Sequence, residues 1–481
     1  MRRLLFVASI SSASLISISA SADTLQVGPG KTYVKVCDAI AAAKANDTIQ
    51  VDASGTYDGE NCSWDTDGLT VTGVNGRPKI NLTSAPSNDK GIFTITAANA
   101  TIENFEFSGA TSSSSNGAGI RHQGLNLTVR GCYFHDNQDG ILGAPATDQS
   151  ATPQPGMGTI LVETSEFSHN GAGDGESHNM YIGDYGSFTL RASYSHGAVK
   201  GNLVKSRAYK TYVLYNRITD EPGTTASYEI DIPNAGTTYV IGNVIEQSAE
   251  SENDNIIETG AEGASNPTNQ LFVVNDTIVN DQANGTFVDA SGAAVTIINT
   301  ITRGAGTLTN AASPTLANNW DDTKGDPLLV DQANFDYHLQ SGSPCVDQGK
   351  DPGNGPDMAL NPIFEYVHPT SIEGRTVAGN AIDIGAYELG GAVALGDGGI
   401  DAIDSGIVAT DSDAGASTSR APETPSSGTS SDSSGCGCSL VGTKSNGTSK
   451  LAVLLAAFAI LVTKRFRRRP FVRAHAQRNM R

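Results

Sequence analysis

Between residues 178 and 289 the chain returns every 24 to 31 residues to one short alternation of apolar and polar positions: HNMYIG, NLVKSRA, SYEIDIP, NIIETG and TFVDASG. Asparagine- or glycine-punctuated turns follow, then second short strands such as TYVLYNRI, TYVIGNVI and NQLFVVNDTIV. A period of this size, with about three short strands per turn, marks a solenoid whose units bury their apolar faces only by stacking on their neighbours. The same alternation recurs upstream in GLTVTGV, GIFTITAANATIENFEF, GAGIRHQGLNLTVRGCYFHDN, DGILG and GTILVETSEFSHN. The pattern predicts an all-β, single-stranded, right-handed parallel β-helix with one face of each strand feeding the stack and the other meeting solvent.

Before the first coil, residues 37–45 carry Ile40 and several alanines at helical spacing. A short amphipathic capping helix there would cover the open end of the stack and block strand-edge pairing. The order helix, DTIQV, GTY resembles the start of pectate-lyase-like proteins. GDPLLVDQANFDYHL at 325–339, SGSPCVD at 341–347 and AIDIGAYE at 381–388 resemble their closing coils. The resemblance spans roughly residues 25–389 and implies a pectin-lyase-like β-helix.

The ends of the chain read differently. Met1-Arg2-Arg3, a serine-interrupted apolar stretch over residues 4–18 and Ala20-Ser21-Ala22 form a secretory signal, so residues 1–22 are expected to be removed and residues 23–389 to form the β-helix. Residues 390–435 are rich in Asp, Ser, Gly and Thr, a composition that cannot repay the entropy of ordering, and read as an acidic linker. Residues 436–481 hold Cys436-Gly437-Cys438, an apolar run over 451–462 and the basic cluster at 464–469. That order resembles the tripartite sorting tail of myxobacterial surface proteins and implies a secreted, outer-membrane or cell-surface protein tied to the envelope, transmembrane, through its tail. Retention by a short amphipathic tail without processing is the alternative.

The formal charge of −20 lacks the basic footprint of a nucleic-acid binder. It leaves room for an acidic polysaccharide as partner, because a local basic pair can neutralise one uronate. The chain is expected to be monomeric. In an oxidising compartment Cys37 and Cys62 could pair beside the first coil; two unpaired buried thiols are the alternative. Gly171–Gly175 has no accompanying phosphate motif, and no zinc spacing or nucleophile elbow is present.

Period-two alternation turns Met180, Ile182, Val204, Ser206, Ile230 and Ile232 inward, with Tyr228 also on the packed phase. Outward then face Tyr181, Lys205, Arg207, Glu229 and Asp231, and Glu258 and Asp289 extend the column. His178 enters on a loop with Asp174 and Glu176. With coils about 4.8 Å apart, these groups can converge on one or two sugar units. Such a patch has the parts for β-elimination from a uronic acid: Arg207 to clamp the carboxylate with its fork and Lys205 as Brønsted base, which requires a depressed pKa. Tyr181 and His178 are alternative proton donors or bases. Glu229, Asp231, Glu258 and Asp289 would bind substrate. Glu229, Asp231 and Glu258 also suit Ca²⁺, which takes oxygen ligands and could itself neutralise the uronate. Parallel β-helix lyases often pair a basic residue with calcium or a second cation, and Lys205-Ser206-Arg207 looks like that arrangement. Two other functions stay open: a glycoside hydrolase using Asp231 and Glu258, and a non-catalytic glycan-binding surface protein or adhesin.

Overall fold

A computed structural model describes residues 22–144, 156–290 and 292–395. Residues 1–21 of the expected signal sequence, most of the acidic linker, Cys436-Gly437-Cys438 and the terminal tail lie outside the described residues. Among the described residues no helix is long and apolar enough to cross a membrane.

The chain winds a right-handed parallel β-helix from three parallel sheets. The first has 12 strands, from Thr24–Val27 to Thr315–Ala317; the second has 10, from Cys62–Trp64 to Thr307–Thr309; the third has 9, from Lys79–Asn81 to Ile301–Gly304. From Leu69–Val74 to Thr307–Thr309 each turn of chain contributes one strand to each sheet. The register is nearly unbroken, so residues at equivalent positions stack into columns along the axis. Inside, Phe107, Phe134 and Phe167 stack with ring centroids 5.1 and 4.8 Å apart. Stacking of this kind adds roughly 0.5–1.5 kcal/mol per pair beyond burial.

Sharp corners between the first and third sheets fix this register. Residues in the left-handed region, including Asn104, Thr164, Ala192, Tyr215, Asn275 and Asn299, stand at these corners. Beside them runs a buried polar ladder: the Asn216 amide donates to Asn243 Oδ1 at 3.0 Å, and the Asn243 amide to Asp276 Oδ1 at 2.9 Å. The ladder satisfies corner backbone groups that strand pairing leaves unmet. Burial pushes the Asp276 carboxyl well above its usual range.

The N-terminal cap is the helix Val36–Ala42, which buries Val36, Ala39 and Ile40. A disulfide joins its Cys37 to Cys62 of the first strand of the second sheet. Cys132 and Cys345 are buried free thiols.

The far end departs from expectation. Residues 325–388 do not add closing coils. After Thr315–Ala317 the chain forms an antiparallel hairpin, Leu329–Asp331 with Asp336–Leu339, and an antiparallel sheet of Phe364–Val367, Ser371–Arg375 and Ala392–Val393. These fold back along the outside of the coil. Tyr337, Leu339, Ile384 and Tyr387 cover outward Val244, Val279 and Ile301 of the third sheet. Leu360 and Ile372 cover outward Leu214, Tyr239, Ile241 and Val274 of the first. Those outward positions are apolar, unlike a solvated face, and removing them from water is what holds the strap down. Neither cluster contains a residue of the second sheet. Its outer face is left to the polar column.

Candidate functional site

Strand pairing in the second sheet makes Tyr181, Lys205, Asp231, Glu258 and Asp289 successive register partners. Their side chains alternate with buried Met180, Ile182, Val204, Ile230, Ile232, Ile257 and Val288. The inward residues lock the phase, so the outward column cannot slip without exposing the core.

Around Lys205 the charges interlock. Its ammonium lies 2.9 Å from Asp231 and 3.4 Å from Glu262. Arg207 donates from Nε to the Tyr181 hydroxyl at 2.8 Å, from Nη2 to Glu262 at 2.7 Å, and from Nη1 to Asn234 Oδ1. Its guanidinium lies 5.6 Å from the centroid of the Tyr181 ring. The Asn202 amide donates to Asp231 at 2.7 Å. Loss of solvent opposes the Lys205 charge, but Asp231 and Glu262 outweigh it and hold its pKa above the ordinary lysine value. The depressed lysine expected of a resting base is therefore absent: two carboxylates keep Lys205 protonated. Arg207 is likewise held above its ordinary value, with Glu262 and Tyr181 overcoming desolvation.

Asp231 is also hydrogen-bonded to Glu258. Burial first, and that neighbour second, raise the Glu258 carboxyl far above the usual range, so the pair holds one proton between them near neutrality. One Glu258 oxygen accepts the Ala261 amide at 2.5 Å. Asp289, one coil further, accepts from the Asn255 amide at 2.8 Å and the Asn310 amide at 2.6 Å.

His178 is buried, with its Nδ1 accepting the Asn202 backbone N–H at 2.9 Å, which places the neutral ring's proton on Nε2. Desolvation, with Lys205 and Arg207 nearby, drives its pKa down to about 3. Its ring stacks on Tyr181 at 5.8 Å. Asp174 turns away to cap its own loop, accepting the Glu176 N–H at 3.0 Å and the Ser177 hydroxyl at 3.1 Å.

Glu229 is not part of the column. It is 0% exposed, and neither of its carboxylate oxygens has a hydrogen-bond partner. Burial, then the charges of Asp220 and Glu246, push its carboxyl well above the ordinary value. It cannot reach a surface sugar or a cation there. Tyr228 is the reverse: it is only half-buried, beside Asn253, Asp231, Glu258 and Asp289. Both placements have one cause. The strand begins at Ile230, so alternation cannot be carried back across its start.

The acidic side chains supply only part of a calcium shell. Ca²⁺ takes six to eight oxygens, whereas here Asp231 is claimed by Asn202 and Lys205, and Asp289 by two amides. Among the described residues, the group of three carboxylate, thiol or imidazole ligands close enough to share an ion is Cys37, Glu60 and Cys62, and both of those sulfurs are in the disulfide. The donor set of the column does not fit calcium without further ligands.

Glu262, Asn202 and Asn234 escaped the sequence reading. Asn202 and Asn234 stand just outside the strands Val204–Ser206 and Ile230–Ile232, and Glu262 lies in the loop after Asn255–Thr259. No periodicity assigns such positions.

No family model matches the chain, and no curated protein matches it. Among solved structures, the crystal structure of pectate lyase Pel9A is similar over 77% of this chain and 97% of that one, with a TM-score of 0.52 at 14% identity. The pectin methylesterase from Aspergillus niger in deglycosylated form is similar over 64% of this chain and 88% of that one, with a TM-score of 0.32 at 15% identity. At 14% identity the likeness to Pel9A establishes the parallel β-helix fold.

Proposed function

We propose that the outer face of the second sheet cleaves a uronic-acid polysaccharide by β-elimination, in a secreted or surface-held protein. The observation that carries the reading is the pair of cations, Lys205 and Arg207, held on one face one coil from Tyr181 and one coil from a proton-sharing carboxyl pair. Similarity to a structure named as a pectate lyase supports the substrate class.

Arg207 can exchange Glu262 for the substrate carboxylate and neutralise charge as the enolate forms. That exchange also takes a carboxylate away from Lys205. With Glu262 displaced, the ammonium keeps one of its two anionic partners and its pKa falls. Lys205 in its neutral form takes the proton from the carbon next to the carboxylate. The bond from the neighbouring carbon to the glycosidic oxygen breaks, a carbon–carbon double bond forms, and the leaving oxygen gains a proton from Tyr181, whose hydroxyl is polarised by Arg207. No step runs through a metal. The hydrolase alternative is less suited to this geometry: hydrogen-bonded Asp231 and Glu258 are closer than the roughly 5–5.5 Å that retaining enzymes use or the wider gap of inverting ones.

The test is ultraviolet absorbance of unsaturated product when the purified protein meets pectate, alginate and glucuronan, with Ca²⁺ and with chelator. The expected result is product on one of these, independent of chelator, that vanishes in Lys205→Ala and drops sharply in Arg207→Lys. New reducing ends without unsaturation would move the reading to hydrolysis. Binding without any cleavage would leave a glycan-binding surface.

A further inference from the structure

The outward column continues in register past Tyr181, through Leu142, to Arg121. Six other arginines of the described chain, Arg130, Arg191, Arg207, Arg217, Arg303 and Arg375, each face a carboxylate. Arg121 makes no hydrogen bond or ion pair with a described residue, its Nε is buried without a partner, and the carboxyl that acts on it, Asp139, is pushed up to about 8 by burial. Holding a guanidinium partly desolvated and unpaired costs free energy, and a bound anion would remove that cost.

Its place in the fold says which anion. The Arg207 guanidinium leans back over the ring of Tyr181, so the two guanidinium groups stand about two coils apart, on the order of 10 Å. One coil matches about one pyranose. In an extended polyuronate with a near two-fold twist, carboxylates of alternate units point to the same side, again two units apart. Leu142 between them is 8% exposed and offers a low apolar step rather than a third charge.

Building on the proposed uronate site, we infer that Arg121 is a second carboxylate clamp, holding the uronate two units along from the one at Arg207. The protein then reads a minimum of three consecutive units with acids on the first and third. Arg121 is a substrate-binding residue remote from the bond that breaks, and its contribution appears in affinity and in the dependence on chain length.

The experiment measures binding of uronate dimers, trimers and longer oligomers to the full-length protein carrying Lys205→Ala, which prevents turnover, with and without Arg121→Ala. A trimer with reduced carboxyls is the neutral control. The expected result is a loss of roughly tenfold to a hundredfold for trimers and longer chains, the range of a charge-assisted hydrogen-bonded contact, with no change for the dimer or the neutral trimer. Arg121→Lys, which keeps the charge and the side-chain stem, should fall between the two and guards against misfolding of the alanine variant. Equal losses for dimer and trimer, or none for either, overturn the inference. If products form in the wild type but length dependence ignores Arg121, the clamp fails and the lyase reading stands. If no product forms yet the trimer effect is present, the clamp stands and the chemistry fails. No binding of any uronate overturns both.

Discussion

Glu262 is the side chain on which the proposed chemistry turns, because it faces both cations at once. Replacing it with glutamine removes one negative charge 3.4 Å from Lys205 and leaves the strands of the site untouched. Two unit charges at that distance interact by about 5 kcal/mol at an effective dielectric of about 20, and by about 1.2 kcal/mol in water. The Glu262 side chain is 50% exposed, so solvent screening puts the effect near the lower figure, which corresponds to about one pKa unit. The sign follows from the charge. Glu262 favours protonated Lys205, so its loss makes the neutral amine available at lower pH. The assay is kcat/KM against pH, which reports ionisations of the free enzyme. The wild type should climb toward alkaline pH, and Glu262→Gln should carry the same limb about one unit lower. Because substrate no longer has to displace an internal carboxylate from Arg207, KM should fall as well, by up to about fivefold, the worth of an exposed ion pair. An alkaline limb that stays in place, or moves upward, would refute the latch and with it Lys205 as the base.

Two further predictions concern the scaffold. Phe134→Ala opens a cavity between Phe107 and Phe167 in the middle of the aromatic stack and should cost about 3–5 kcal/mol, read from denaturant unfolding; a loss below about 1 kcal/mol would show that the column carries little of the stability. Burial pushes Glu246 up to about 8 and Asp139 up to about 8, so their contribution is full below the ordinary carboxylate range and is lost as pH rises through about 8. Unfolding midpoints should therefore fall from pH 5 to pH 9, and Glu246→Gln should flatten that fall; an unchanged slope would count against Glu246 as a buried neutral acid.

The sequence made the coil and one column of its outer surface readable for the same reason. Strands such as Val204–Ser206 and Ile230–Ile232 alternate strictly, so the buried valines and isoleucines determine where Lys205 and Asp231 point. The reading failed where the backbone stops being extended. Glu229 precedes its strand and is buried; Tyr228 beside it is turned toward the acidic column. Glu262 is supplied by a loop whose path depends on the neighbouring coils. The closing segments were misread for a different reason: alternation in DYHL and AIDIGAYE reports that one side is covered, not what covers it, and here the cover is the outside of the first and third sheets. Lys205 illustrates the limit for chemistry. Its location follows from pattern, but its protonation depends on distances of 2.9 and 3.4 Å to two carboxylates that no pattern supplies.

The net charge of −20 and an acidic polymer as substrate are reconciled by range. Repulsion from the distant surface is screened beyond a Debye length, about 8 Å at physiological ionic strength, whereas contacts within the column act across a few ångströms of partly desolvated space. In the free protein Lys205 and Arg207 are balanced by Glu262 and the singly charged Asp231–Glu258 pair, so this centre offers little net attraction to a polyanion until Glu262 gives way. Arg121 has no such latch: the carboxyl that acts on it, Asp139, is buried and pushed up to about 8. For a chain long enough to span both, the contact with Arg121 sets an acid two units on against the latched pair, where binding energy gained at the remote clamp helps release Glu262.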